Sequence, residues 1–374
     1  MKILVDGLER GKCLCKSVAL GSMIASGGGA AHRRLGKYGR CRLNFTLVVL
    51  TCIGLGLASC GGATSGNPTT TTLPTFPGNS NSYYVNPAAN LTDLQNLGCS
   101  QDQLSNGLSS VGNQRQIILD FGDEVPDPSS LDQFGVALPP FGSVIWPDEL
   151  SSNPGAMTVE NAFNAFLMGW DDCSNISGVD LAIGIASGSL QYSRPTLDNT
   201  GGSVWGALVN NIKSTSAELG SSNRVFGAMD IETGFYPYSD VQPWVSGFES
   251  GGPGAVYWDF GDAGGCPPTV SGSNPNYVCE SGWTVGEVYN VAHGDPGSSA
   301  VPEIYYSVNA QQWESIGVIM GTPISFTAVM SDYTACTTGG RICHPNFNTP
   351  TEAWTQLQSA TGMSNFGSTD MSWE

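Results

Sequence analysis

Short apolar runs that stop on Gly, Asp or Asn recur along this chain, and they constrain its fold more than any other feature. They lie at 116–122 (QIILDFG), 181–187 (LAIGIAS), 225–232 (VFGAMDIE), 255–261 (AVYWDFG), 288–293, 301–306 and 323–330. Runs this short and this continuously apolar are what strands buried on both faces look like, and such strands belong to parallel sheets covered by helices. Helix-like stretches separate several of them, at 158–170 with Thr158 as a cap, at 203–219 and at 351–358. The expectation is an α/β fold, a TIM-like (β/α)8 barrel in which some helices are degenerate. An open doubly wound sheet is the alternative, but no G-x-G-x-x-G or G-x-x-x-x-G-K-[ST] opens a helix to cradle a phosphate.

Charge divides the 374 residues into two unlike parts. Up to Ser59 there are nine basic and two acidic residues; from Cys60 onward there are five basic and 30 acidic, a net of −25. An apolar, uncharged stretch at 43–57 (LNFTLVVLTCIGLGL) follows Arg33, Arg34, Lys37, Arg40 and Arg42. It falls short of the roughly 20 residues a spanning helix needs, and its order, basic then apolar, is that of a secretory signal. It ends in Leu57-Ala58-Ser59-Cys60, which resembles the bacterial lipobox. That resemblance implies cleavage before Cys60 and a lipid on its sulfur, so 1–59 is expected to be an N-terminal extension and lipoprotein signal peptide. Residues 61–82 (GGATSGNPTTTTLPTFPGNSNS) are polar and uncharged and cannot build a core. With Cys60 they are expected to form a flexible tether, 60–82, that lifts one large domain, 83–374, off a membrane.

Setting aside the signal and Cys60 leaves Cys99, Cys173, Cys266, Cys279, Cys336 and Cys343. An even number of cysteines in an exported chain reads as disulfides. Cys266/Cys279 and Cys336/Cys343 each bracket a loop rich in Gly, Pro, Asn or Thr, which leaves Cys99 for Cys173, although six cysteines permit other connectivities. Zinc is not expected, because no C-x-x-C spacing occurs among the six and only His293 and His344 follow the signal.

Acidic residues collect where the expected strands end, which is where barrel enzymes keep their chemistry. In Asp230-Ile231-Glu232 the alternation of strand side chains puts both carboxylates on one face. Two close carboxylates hold different pKa values, one suited to donate a proton and one to stay charged. Two other runs end in Asp-Phe-Gly-Asp, at 120–123 and 259–262. They are expected to be equivalent strand ends, with Asp120 and Asp259 either on the rim orienting substrate or capping backbone N–H groups in a turn. Asp120, Asp123 and Glu124 also make a candidate calcium site, as a third and weaker reading. Glu303 and Tyr305 share a face by the same alternation, and 309–313 (NAQQW) follows at once, offering amides and the Trp313 indole to a sugar. His293 beside Asp295 is a minor candidate base. A serine nucleophile has no support, since no G-x-S-x-G elbow occurs.

An exported chain with a first strand ending in Asp120, a central strand ending in D-x-E and a later strand carrying Glu303 and Tyr305 resembles the family-25-type glycoside hydrolases. Those are lysozyme-like (β/α) barrels that cleave the muramyl bond of peptidoglycan. The chain looks closer still to the glycoside-hydrolase-like barrel domains of exported actinobacterial-type proteins. The resemblance covers about 110–374. It implies Glu232 as the general acid, Asp230 as the group that positions the substrate's N-acetyl group or stabilises positive charge, and Asp120 as the holder of the site's hydrogen bonds. The Phe121-Gly122-Asp123 continuation departs from the Val-Ser-type sequence of the lysozymes.

The expected function is therefore that of a surface-anchored glycosidase, muramidase-like, acting on a cell-wall or extracellular polysaccharide. Asp259, Glu303, Tyr305 and Trp313 are expected to contact the glycan. The alternative is a non-catalytic glycan-binding or envelope-organising module on the same barrel. Neither requires a cofactor or a metal, and both place a monomer outside the cytoplasm, joined to a membrane through its lipid. The net charge of −25 excludes nucleic acid as a partner.

Overall fold

The computed structural model describes residues 74–105, 115–127, 130–139, 143–147, 157–173, 178–186, 199–218, 223–269, 272–338 and 347–374. The expected signal peptide, Cys60 and most of the expected tether lie outside the described residues, as do Cys343 and His344. The strands are β1 (Ser80–Tyr84), β2 (Gln116–Asp127), β3 (Ser130–Ala137), β4 (Val144–Ile145), β5 (Asp180–Ala186), β6 (Arg224–Asp230), β7 (Tyr257–Asp259), β8 (Ser298–Ala300), β9 (Ala328–Ser331) and β10 (Gly367–Trp373). The helices are α1 (Leu91–Ser105), α2 (Val159–Cys173), α3 (Asn199–Glu218), α4 (Tyr238–Gly251), α5 (Val285–Tyr289), α6 (Ser307–Met320), α7 (Tyr333–Thr338) and α8 (Pro350–Thr361).

Eight of the strands pair in the order β8-β7-β6-β5-β2-β1-β10-β9, and every pairing along that path is parallel. The two ends of the path meet through parallel bridges, Ala300 with Phe326 and Glu303 with Met330. Backbone bonds support the closure: Met330 N–H donates to Pro302 O at 2.9 Å and Ile304 N–H to Met330 O at 3.0 Å. The result is a nearly closed, TIM-like (β/α)8 barrel, as the apolar runs predicted. β3 and β4 form an antiparallel excursion from the end of β2, outside the barrel path.

Strand alternation sorts the core into two layers. Ile118, Ala182, Ala228, Trp258, Val301, Ala328, Met330 and Met371 point into the barrel, with Phe226 stacked on Trp258 at 4.7 Å. Ile117, Leu119, Leu181, Ile183, Val225, Met229, Tyr257 and Val329 point outward and meet Phe163, Phe166, Trp170, Trp205, Trp244, Phe248, Trp313 and Trp354 of the helices. Most tryptophans of this Trp-rich chain thus serve as wedges between sheet and helices.

Several elements differ from the sequence reading, among them the run at 301–306, which follows β8 and meets β9 only through a single bridge at Glu303. β1 (SNSYY) and β10 (GSTDMSW) carry no apolar run, and β1 begins inside the expected tether. Hydroxyls replace aliphatic packing here: Ser82 Oγ and Thr369 Oγ1 are 2.7 Å apart across the two strands, Ser80 bonds the carbonyls of Gln116 and Ser368, and Ser82 Oγ accepts from Ile118 N–H at 2.9 Å. The run at 288–293 is helical instead of extended, because Thr284 and Glu287 form a reciprocal capping box that starts α5, which continues into a π turn at Asn290–Gly294.

Disulfides join Cys99 of α1 to Cys173 of α2 and Cys266 to Cys279, both as expected. Cys336 is also disulfide-bonded. Helices α3 and α4 are held differently, by glycines spaced four apart on each: Gly202 and Gly206 face the Trp244 and Phe248 backbone, and Gly247 and Gly251 face that of Asn199 and Ser203. A Cβ at Gly247 would collide with the Asn199 carbonyl oxygen. Gly247→Ala should therefore cost about 1–3 kcal/mol in denaturant unfolding. Gly286→Ala in α5, whose Cβ would stand 3.4 Å from its nearest neighbour on Pro275, should cost little.

Candidate active site at the C-terminal mouth

The inward face of the strands ends in carboxylates. On β2, Ile118 points inward and Asp120 shares its face; on β6, Ala228, Asp230 and Glu232 do the same, while Met229 and Ile231 turn out to the helices. After β8, Val301, Glu303 and Tyr305 follow the same alternation, and so do Met330 in β9 and Asp332 just past its end. The parallel barrel gathers these side chains at one mouth. There, one carboxylate oxygen from each of Asp230, Glu232 and Glu303 lies within 4.8 Å of the others. Glu303 is 2% exposed, whereas Asp230 and Glu232 are partly exposed.

Electrostatics in this mouth oppose ionisation. Burial, then the charges of Glu232 and Asp120, push the Asp230 carboxyl well above the ordinary aspartate range. Burial, then Asp230 and Glu232, do the same to Glu303, which a hydrogen bond from Tyr305 only partly offsets. The Tyr305 phenol is itself raised well above its ordinary value by burial and by Glu303 and Asp332. Its ring stacks on Phe347 at 4.6 Å. Tyr84 and Trp373, 4.8 Å apart at the ends of β1 and β10, add aromatic surface on the inner side.

The described basic side chains, Arg115, Lys213 and Arg224, all belong to the other end of the barrel. Arg224 at the start of β6 makes a two-pronged pair with Asp180 at the start of β5, at 2.6 and 2.5 Å. Lys213 donates to Gly254 O, ahead of β7, and Arg115 directly precedes β2. Among the described residues no cation offsets the acids of the mouth.

The predicted residues separate accordingly. Asp120, Asp230, Glu232, Glu303 and Tyr305 are brought together. Asp259 is not equivalent to Asp120: Phe121 packs in the outer layer but Phe260 packs inside the barrel, so the two Asp-Phe-Gly-Asp strings sit in opposite registers. Asp259 therefore shares the outward face of Tyr257 and is 1% exposed. It accepts from Gly261 N–H at 3.2 Å, as Asp120 accepts from Gly122 N–H at 2.8 Å. The turn reading thus holds for both, and the substrate-orienting reading fits Asp120 alone.

Trp313 is fully buried on α6, set edge-on to Phe326 and lining a cavity of about 300 Å³ behind the barrel wall, so it is not with the acids. The helix rotates the NAQQW run away from the mouth that an extended strand would have faced. His293 sits in the π turn leading into the start of β8, at the opposite end from the acids, with its ring against Tyr289. The calcium trio is not assembled, since Glu124 accepts from Trp244 Nε1 at 2.8 Å in the outer layer. Asp332 was missed by the sequence reading, although its run, AVMSD, has the same apolar-then-acid signature as β2 and β6. No protein-family model matches this chain, and no curated protein does.

The outward-facing Asp259 has a measurable consequence of its own. Burial raises its carboxyl from 3.8 to about 7, against the opposing bonds from Gly261 and Ile231. Between these values the folded state holds a proton that the unfolded state has released, so stability is highest on the acid side and is lost as pH rises towards 7. The slope from one such group approaches ~1.4 kcal/mol per pH unit inside that window. Urea midpoints should fall between pH 5 and pH 8, and fall less in Asp259→Asn. Equal slopes in the two proteins would mean that this carboxyl ionises freely.

Proposed function

We propose that the barrel is a glycoside hydrolase acting on a cell-wall or extracellular polysaccharide, by carboxylate acid catalysis at Asp230, Glu232 and Glu303. The observation that supports this most is the meeting of these three carboxylates at the C-terminal mouth, with Asp230 and Glu303 held towards the neutral acid. Glycoside hydrolysis needs one carboxyl that still carries a proton at working pH and a second carboxylate to stabilise or trap the oxocarbenium-like centre. Asp230 and Glu303 suit the first role. Glu232, whose negative charge raises both, suits the second, which differs from the family resemblance that made Glu232 the donor. The nearest oxygens of the three carboxyls lie within 4.8 Å of one another. That spacing favours retention through a covalent intermediate over inversion, which needs about 6.5–9.5 Å.

Tyr305 and Trp373, both partly exposed, are the surfaces on which a sugar ring would stack. The acidic mouth suits a neutral glycan better than an anionic polymer. Disulfides fit an oxidising compartment, and among the described residues no helix is long and apolar enough to cross a membrane. Attachment would then fall to a lipid on Cys60.

The purified protein should release reducing ends from peptidoglycan or from one member of a polysaccharide panel. Asp230→Asn, Glu232→Gln and Glu303→Gln should each lose about 10²–10⁴-fold in kcat/KM while keeping the near-ultraviolet circular dichroism of the folded barrel. Glycan binding without turnover in every form would instead establish the non-catalytic module. Cys60→Ser should move the protein from the membrane fraction to the soluble one; unchanged fractionation would remove the anchor.

A further inference from the structure

We propose that Asp230, Glu232 and Glu303 form a binding site for a divalent cation of calcium's size, and that the bound ion blocks the hydrolysis proposed above. The first half stands on the geometry alone; the second rests on the glycosidase reading.

Asp370 and Asp180 show how a buried carboxylate of this protein is satisfied when donors surround it. Asp370 accepts from Ser331 Oγ at 2.6 Å, Tyr333 N–H at 3.0 Å, Thr334 N–H at 3.2 Å and Thr334 Oγ1 at 2.5 Å. Asp180 has the Arg224 guanidinium. In the mouth, Glu303 is only 2% exposed, yet its Oε2 has no hydrogen-bond partner. Asp230 Oδ1 is likewise buried and without one. A cation entering the mouth offsets the like charges that hold these groups protonated and displaces their protons, and an ionised carboxylate oxygen can then only accept or ligate, so buried oxygens without donors beside a further carboxylate present a site for a positive ion.

The spacing selects the ion. Two oxygens on one ion cannot be farther apart than twice the ion–oxygen distance, which is about 4.6–5.2 Å for calcium and only about 4.2 Å for magnesium. The three oxygens lie within 4.8 Å of one another. Three oxygens equally spaced at that limit stand about 2.8 Å from their centre, so calcium, at about 2.3–2.6 Å, is reached by a contraction of a few tenths of an ångström, whereas magnesium, at about 2.0–2.1 Å, requires a larger one or retained waters. Partly exposed Asp230 and Glu232 leave an open side on which water would complete the six to eight oxygen ligands calcium takes. Tyr305 holds Glu303 by a hydrogen bond and so orients the buried ligand. An ion seated there occupies the oxygens that acid catalysis needs.

The test is calorimetric titration of the EDTA-stripped, dialysed protein with calcium chloride, beside magnesium chloride and with melting followed in parallel. The expected result is one calcium per chain with Kd on the order of 0.1–1 mM, as in extracellular calcium modules, and at least tenfold weaker magnesium binding. Saturating calcium should raise the melting temperature by several degrees. Glu303→Gln and Asp230→Asn should each weaken calcium at least tenfold, and either one suffices if the other fails to fold; Glu124→Gln should bind as wild type. No heat and no melting shift at millimolar calcium, or calcium binding that survives both mouth substitutions, would overturn the site. Calcium that binds as expected but leaves measured hydrolysis unchanged would overturn the inhibitory half. Binding in a protein without hydrolysis would leave the ion site standing and reject the glycosidase.

Discussion

Closure of the parallel sheet between β8 and β9 is the constraint on which the rest of the structure depends. Parallel strands leave no choice about where their C-terminal ends go, and a closed ring brings all of those ends to one opening. Two bridges, at Ala300 and at Glu303, carry that closure. The second places an acid in the seam itself, so the same residue that completes the barrel contributes a carboxylate only 2% exposed to the mouth.

Alternation then decides what faces the opening. A strand that buries both faces must alternate between the barrel interior and the helix layer, and a one-residue difference in register sends a side chain to the other compartment. The two Asp-Phe-Gly-Asp strings show this directly. Their letters are identical, yet Phe121 lies among helices and Phe260 among barrel residues, so only Asp120 reaches the mouth. The glycine in each serves a local need: Gly122 has a φ of 88°, and a Cβ on Gly261 would strike the Ile231 carbonyl. Similar local turn requirements produced similar strings at positions with unlike surroundings.

The energetic cost of the mouth is concentrated in carboxylates that have little to neutralise them. Burial raises both Asp230 and Glu303, with like charge from Glu232 and Asp120 added at Asp230 and from Asp230 and Glu232 at Glu303, and the described cations stand at the far rim. Ordinary selection for stability would replace such groups or supply each with donors, as it has done around Asp370. Strongly perturbed acids retained in a concave site are the usual mark of chemistry or ligation rather than of folding.

The barrel itself was legible because apolar strand runs between helix-like stretches have few other folds available. The D-x-E pair was legible because alternation is local: two residues apart on one strand means one face. An oxidising compartment and the two described disulfide pairings could likewise be read from cysteine number and spacing, which depend on the compartment rather than on packing. The sequence alone could not reveal β1 and β10, because their pairing is secured by hydroxyls that find partners only across strands. Nor could it place Trp313, whose direction depends on α6 beginning at Ser307, or tell Asp120 from Asp259. Register and helix rotation are set by which neighbour a backbone meets, and that neighbour is distant in sequence. The sequence alone determined which residues could do chemistry; tertiary structure decided which of them meet, because only barrel closure sets the distance between Glu303 and the Asp230–Glu232 pair.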